Sequence, residues 1–126
     1  MKKIIFYSYL KCSTCRKASK WLDKNDFEYQ LIDIVKEPPL FKYLNIALEQ
    51  YSSDKKRVFN IRGKAFKSIN LDIYSLSNEE IIQLLLSDGK LIKRPFLVYE
   101  EKKVILGFNE IQYAKQFLKV NKSILF

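Results

Sequence analysis

Cys12 and Cys15 are the only thiols in the chain, and they stand as Cys12-Ser13-Thr14-Cys15 between a short apolar run and an amphipathic one. Thiols at that spacing can hold half of a zinc site, sit as inert buried groups, or form and break a disulfide. Tetrahedral zinc needs two more Cys or His ligands, and the chain has no histidine and no third cysteine. A metal site is therefore not expected. The lack of histidine also removes Cys-His and Ser-His-Asp activation. Any nucleophilic thiol has to be activated by where it sits.

The flanking sequence offers such a place. Residues 3–8 are a short apolar, aromatic-rich run of buried-strand type. Tyr9 to Cys12 reads as a loop, and Ser13 or Thr14 caps a helix to about Lys24. That helix carries Cys15, Ala18, Trp21 and Leu22 on one face and Arg16, Lys17, Lys20 and Asp23 largely on the other. Unpaired N–H groups and the positive end of the helix dipole favour a thiolate at this junction. Cys12 is the expected nucleophile, and Cys15, about one turn inside the helix, is the expected resolving thiol. Lys11, Arg16 and Lys17 add positive charge nearby. Tyr7 and Tyr9 flank the loop, where they either pack or line a substrate groove.

The elements that must position this pair follow in order. Residues 27–34 read as a second strand, parallel to the first through a right-handed crossover. Pro38-Pro39 opens a helix to about Gln50, and residues 52–57 form a polar turn. Val58-Phe59 leads into a helical middle region that includes residues 65–69. Ser77-Asn78-Glu79-Glu80 is a capping box for a helix over residues 81–86 that stops at Asp88-Gly89. Residues 96–99 and 104–106 read as a β-hairpin, and Asn109 caps a last helix from Glu110 to about Lys119. Residues 120–126 form an apolar tail that docks or frays. Trp21, Phe27, Phe41, Phe59, Phe66, Phe96 and Phe117 are expected in or near the core. The order β-α-β, helices, β-β-α predicts an α/β thioredoxin/glutaredoxin-like fold in one domain, residues 1–126, with a helical insertion at about 38–92.

Composition narrows the partners. The chain has 126 residues, 23 basic against 14 acidic, for a net charge of +9. Such a field favours an oxyanion such as phosphate or arsenate, glutathione, or an acidic protein surface. No zinc-finger pattern, aromatic RNA-binding motif or Gly-rich phosphate loop is present, so direct nucleic-acid binding is not expected. No apolar run approaches the roughly 18 residues of a membrane span, and residues 1–6 are too short for a signal peptide's apolar region. A cytoplasmic monomer with no membrane contact is expected. In that reducing compartment a structural disulfide is not.

Four segments together resemble the arsenate reductase/Spx family: Tyr9-Leu10-Lys11-Cys12-Ser13-Thr14-Cys15-Arg16-Lys17-Ala18, Phe59-Asn60-Ile61-Arg62-Gly63-Lys64, Leu91-Ile92-Lys93-Arg94-Pro95 and Leu106-Gly107-Phe108-Asn109-Glu110. The resemblance covers nearly the whole chain. It implies a nucleophilic Cys12 faced by a functional Arg94 and a cis Pro95, with Lys11, Ser13, Thr14, Asn60 and Arg62 as further substrate- or anion-binding residues. An arginine there could stabilise the thiolate or hold an oxyanion in a forked contact. Of the three arginines that arsenate reductases use, the resemblance retains Arg94 and places Asn60 and Gly107 at the other two positions, with Arg62 close to Asn60. The turn that Spx regulators use against the RNA polymerase α subunit, which bears a glycine in that family, corresponds to Gln50-Tyr51-Ser52-Ser53-Asp54.

These features define rival functions. One is a thiol–disulfide oxidoreductase with no bound cofactor, acting on a small oxidant, an oxyanion or a thiol partner. Glutathione or a thioredoxin/glutaredoxin would be its reductant. The other is a redox-sensing transcription regulator that binds RNA polymerase α. A thiol-switch adaptor without turnover is the third.

Overall fold

The computed structural model describes residues 3–118. Its centre is a four-stranded sheet in the order β2-β1-β3-β4, with β1 at Ile4–Ser8, β2 at Gln30–Asp33, β3 at Phe96–Tyr99 and β4 at Lys103–Leu106. β1 pairs in parallel with β2 and antiparallel with β3, and β3 pairs antiparallel with β4. This is the expected βαβ plus ββα arrangement. Side chains alternate across it with the period of two that a pleated strand imposes. Ile4, Phe6, Leu97, Tyr99 and Ile105 pack on one face with Ala18, Trp21 and Leu22 of α1, Ser13–Lys24, and with Tyr113 and Phe117. Ile5, Tyr7, Phe96, Val98 and Val104 face the other layer. That layer is built from α2, Phe41–Gln50, α3, Lys64–Lys67, and α4, Asn78–Ser87.

Several expectations shift for local reasons. β2 starts at Gln30 rather than Phe27, because Asp26 adopts φ 59° and turns the Phe27 N–H back to the Leu22 carbonyl. Phe27 then stacks on Trp21 at 5.8 Å instead of pairing. α2 starts at Phe41, with Leu40 extended before it (φ −61°, ψ 153°). The pyrrolidine of Pro39 holds Pro38 out of helical conformation, so the two prolines precede the helix rather than open it. Phe41 is 47% exposed and is not a core residue. The polar turn at residues 52–57 runs into a 3-10 turn at Lys55–Val58, and Phe59 leaves it to form an antiparallel bridge with Ile92. The last helix has one α turn, α5 at Glu110–Tyr113, and continues as a wider π turn over Ala114–Leu118. Lys119 and the apolar tail at 120–126 lie outside the described residues.

The capping box forms as read: Ser77 Oγ accepts from the Glu80 N–H at 3.1 Å and Glu80 Oε1 accepts from the Ser77 N–H at 3.0 Å. The helix it opens ends at Asp88, and Gly89 serves there by size. A Cβ on Gly89 would meet the Ile34 carbonyl oxygen and the Val35 Cα. The β4 edge is closed by a side chain: Gln50 Nε2 donates to the Val104 carbonyl at 2.7 Å and Gln50 Oε1 accepts from the Val104 N–H at 2.8 Å. One amide thus satisfies both backbone groups that an open edge would expose.

Candidate active site

The cysteine pair sits where β1 passes into α1. The sequence points to Ser13 or Thr14 as the cap, but the cap is Cys12 itself, extended at φ −96° and ψ 114°, and Ser13 is the first helical residue. Ser and Thr are the usual caps because an oxygen accepts well. Here a sulfur takes that role, accepting from the Cys15 N–H at 3.4 Å. The loop is folded tightly onto the helix. The Cys12 N–H donates to the Tyr9 carbonyl at 2.9 Å, and the Arg16 Nη1 donates to the Leu10 carbonyl at 2.6 Å.

Electrostatics separate the two thiols. Partial burial pushes the Cys12 thiol up, but hydrogen bonds from the Cys15 side chain and N–H, and from Arg94 with its charge, outweigh it. Cys12 therefore titrates below its ordinary value. Cys15 is pushed up to about 11, first by burial and then by its hydrogen bond to the Cys12 sulfur, against smaller opposing contacts with the Tyr9 backbone and Ser8. Cys15 is buried and Cys12 is half-buried. Beside the two Cys15 contacts, the charged partner that lowers Cys12 is Arg94, across the loop. Arg16 is committed to the Leu10 carbonyl, and Lys11 and Lys17 are exposed.

Arg94 reaches this position because the middle of the chain is pinned beside it. Around the Phe59–Ile92 bridge, the Asn60 N–H donates to the Leu91 carbonyl at 2.8 Å and the Lys93 N–H donates to the Val58 carbonyl at 2.9 Å. Residues 60–62 are thereby laid next to Lys93 and Arg94, and the Arg94–Pro95 peptide bond is cis. The Arg94 guanidinium carbon lies 4.8 Å from the centre of the Tyr9 ring, a cation–π contact. Its Nη1 is buried and has no hydrogen-bond partner among the described residues.

A cavity of about 380 Å³ opens at the sulfur, lined by Cys12, Thr14, Asn60, Ile61, Arg62, Lys93 and Arg94. Five of the residues singled out in the sequence meet there. Lys11 and Ser13 are exposed and do not line it, and Pro95 is buried as the residue entering β3 and does not line it either. Tyr7 packs in the core at 3% exposure, whereas Tyr9 carries Arg94. Lys93 is the addition that sequence reasoning missed as a site residue. Its only signal was adjacency to Arg94. Three cations around one sulfur and an unpartnered guanidinium nitrogen can hold an anion against a thiolate, whether oxyanion or carboxylate.

Fold and site together define a thioredoxin-like α/β protein with a Cys-x-x-Cys pair at a helix N-terminus. The chain matches the ArsC family over residues 7–116 and belongs to it. It is 40% identical over 116 residues to the uncharacterized protein YusI of Bacillus subtilis, covering 90% of this chain and 98% of that one. It is 32% identical over 107 residues to the global transcriptional regulator Spx of Lactiplantibacillus plantarum, covering 85% of this chain and 80% of the regulator. A crystal structure of a possible arsenate reductase from Streptococcus mutans superposes with a TM-score of 0.77 at 37% identity, covering 98% of both chains. Among the described residues no helix is long and apolar enough to cross a membrane.

Proposed function

We propose that the protein is a cytoplasmic thiol–disulfide oxidoreductase in which Cys12 attacks and Cys15 resolves. The observation that carries this reading is the split between the two thiols, one lowered at the mouth of a cationic cavity and one held protonated a helical turn below. In the first step the Cys12 thiolate attacks one sulfur of a partner disulfide. A Cys12–partner disulfide forms, the partner's S–S bond breaks, and the departing thiolate takes a proton from water. Cys12 now carries no negative charge, and its hydrogen bond and repulsion no longer hold up the Cys15 pKa. Cys15 gives up its proton, attacks the Cys12 sulfur and expels the second partner thiol. The protein is left with a Cys12–Cys15 disulfide and the partner has gained two electrons and two protons. Glutathione, or a thioredoxin or glutaredoxin dithiol, returns the pair to the reduced state by the same exchange.

Arg94 serves the thiolate and any anion bound beside it, positioned by Tyr9. Arg62 and Lys93 take up part of the anion-holding role that three arginines fill in arsenate reductases, so slow arsenate turnover is expected beside faster disulfide exchange. The relatives that are global transcriptional regulators favour a second reading, in which oxidation of the same pair alters a surface for the RNA polymerase α subunit. One paired experiment separates the two. Turnover of a mixed disulfide with a dithiol reductant, lost in Cys12→Ser, supports the enzyme. Submicromolar, redox-dependent binding to polymerase α without turnover overturns it in favour of the regulator.

A further inference from the structure

The cavity at Cys12 does not end at the cations around the sulfur. Ile61 and Lys93 line it, and the same two residues line a second cavity of about 440 Å³ that extends away from the thiol. The two cavities adjoin at these shared residues, and each has the size of a small-molecule site, typically about 300–1,000 Å³. The second carries Lys56, Arg57 and Lys93 beside Tyr74 and Phe108. Lys56 Nζ sits 4.9 Å from the centre of the Tyr74 ring and the Arg57 guanidinium carbon 4.7 Å from that of Tyr51, so aromatic rings support both cations. The sole carboxylate there, Asp54, already accepts from the Tyr74 hydroxyl at 3.1 Å. The second cavity therefore presents a net positive charge over apolar walls, three cations against the single Asp54 carboxylate.

We infer that this second cavity is a specificity site for a small anionic peptide disulfide, taking the carboxylate-bearing arm of the half that becomes bonded to Cys12. The inference rests on the oxidoreductase reading and adds the substrate's charge and the residues that select it. The Cys12 thiolate attacks the sulfur of the half whose arm is held there. The new bond joins Cys12 to that half, the substrate's S–S bond breaks, and the other half leaves as a thiolate that takes a proton from water. Lys56 and Arg57 touch no reacting atom. They act by holding the substrate's carboxylates in the second cavity, away from the sulfur, and Lys93 is a cation common to both cavities.

The test uses the full chain carrying Cys15→Ser, so that only the first exchange is read, as the second-order rate of Cys12 consumption. Three symmetrical disulfides are compared: oxidised glutathione, neutral hydroxyethyl disulfide and cationic cystamine, each relative to its rate with free cysteine. The inference predicts that the anionic disulfide is preferred at low salt and that added salt erodes the preference. Replacing Lys56→Gln and Arg57→Gln together should slow the anionic disulfide about three- to tenfold while the neutral one changes by less than about twofold. Lys55→Gln, on the same turn but lining neither cavity, should change neither. An anionic preference that survives the double variant overturns the assignment, as does an equal fall for all three disulfides. A preference found only with a longer acidic peptide disulfide assigns the second cavity to a protein partner and overturns the small substrate. If Cys12 reacts with none of the three faster than free cysteine, the oxidoreductase reading itself fails, which is a separate outcome from loss of charge preference.

Discussion

The Cys15 backbone N–H donates to the Cys12 sulfur at 3.4 Å, so the resolving residue of the pair also caps the nucleophile. The contact ties thiolate formation to the helix start. Cys12 should keep its reactivity toward iodoacetamide as pH falls below the ordinary thiol value, losing it only through its lowered folded value. Cys15 in a Cys12→Ser variant should remain slow until strongly alkaline pH, since burial alone is the largest cause holding it up. Thiolate absorbance against pH for the two single variants checks both, and equal titration of the two thiols would contradict the assignment.

Arg94→Ala removes the cation that supports the thiolate and lies against Tyr9. The Cys12 pKa should rise and its exchange with anionic disulfides should slow about tenfold, the scale of one charge-assisted hydrogen bond. Arg94→Lys should recover only part, because an ammonium lacks the planar fork and stacks poorly on the ring. Unaltered titration and rate in both variants would leave Arg94 without a role at the sulfur.

Stability of the reduced protein should fall as pH rises from 9.0 toward about 11 through Cys15, whose ordinary value is 9.0 and whose folded value is about 11. The sign follows from the raised value: the folded state holds the proton longer, so the contribution is complete below the unfolded pKa and is lost as pH rises through the folded one. Tyr29 and Tyr43, pushed up from 10.0 to about 12, lose theirs between those values, overlapping the upper part of the Cys15 window. Denaturant unfolding across this window should be flatter for Cys15→Ala than for the parent.

Three backbone positions outside the site test the packing. Gly89→Ala should destabilise by about 1–3 kcal/mol, since the added Cβ meets backbone at Ile34 and Val35 that cannot swing away. Glu100 sits at φ 51° in the β3–β4 turn with no hydrogen bond or ion pair from its side chain to offset that conformation among the contacts described. Glu100→Gly should stabilise by about 1 kcal/mol. Its neighbour Glu101, at φ 57°, accepts from the Tyr43 hydroxyl at 2.9 Å and pairs with Lys3 and Lys42, so the same change there should gain less. Thermal midpoints of the three variants order these effects.

Much of the sheet was legible because a short apolar, aromatic-rich run is a local signal: Ile4 to Tyr7 is apolar throughout, and the fold buries both of its faces, Ile4 and Phe6 on one side and Ile5 and Tyr7 on the other. The cysteine pair and the Arg94-Pro95 pair were legible as motifs. What sequence could not show depends on long-range contacts. Lys93 enters the site only because the Phe59–Ile92 bridge turns two distant segments alongside each other. Gln50 reads as the polar end of a helix until β4 is laid beside it. Cys12 as its own helix cap escaped notice because Ser13 and Thr14 are better caps by composition, and the loop closure from Tyr9 decided the helix start one residue earlier.

The central claim, that Cys12 attacks and Cys15 resolves, is tested most directly by intact mass after one reaction with a small disulfide. The parent protein should lose two hydrogens, carry no adduct and return to its starting mass with a dithiol reductant, while Cys15→Ser should accumulate one adduct mapped to Cys12. A stable adduct on Cys12 in the parent, or the adduct on Cys15, would contradict the account.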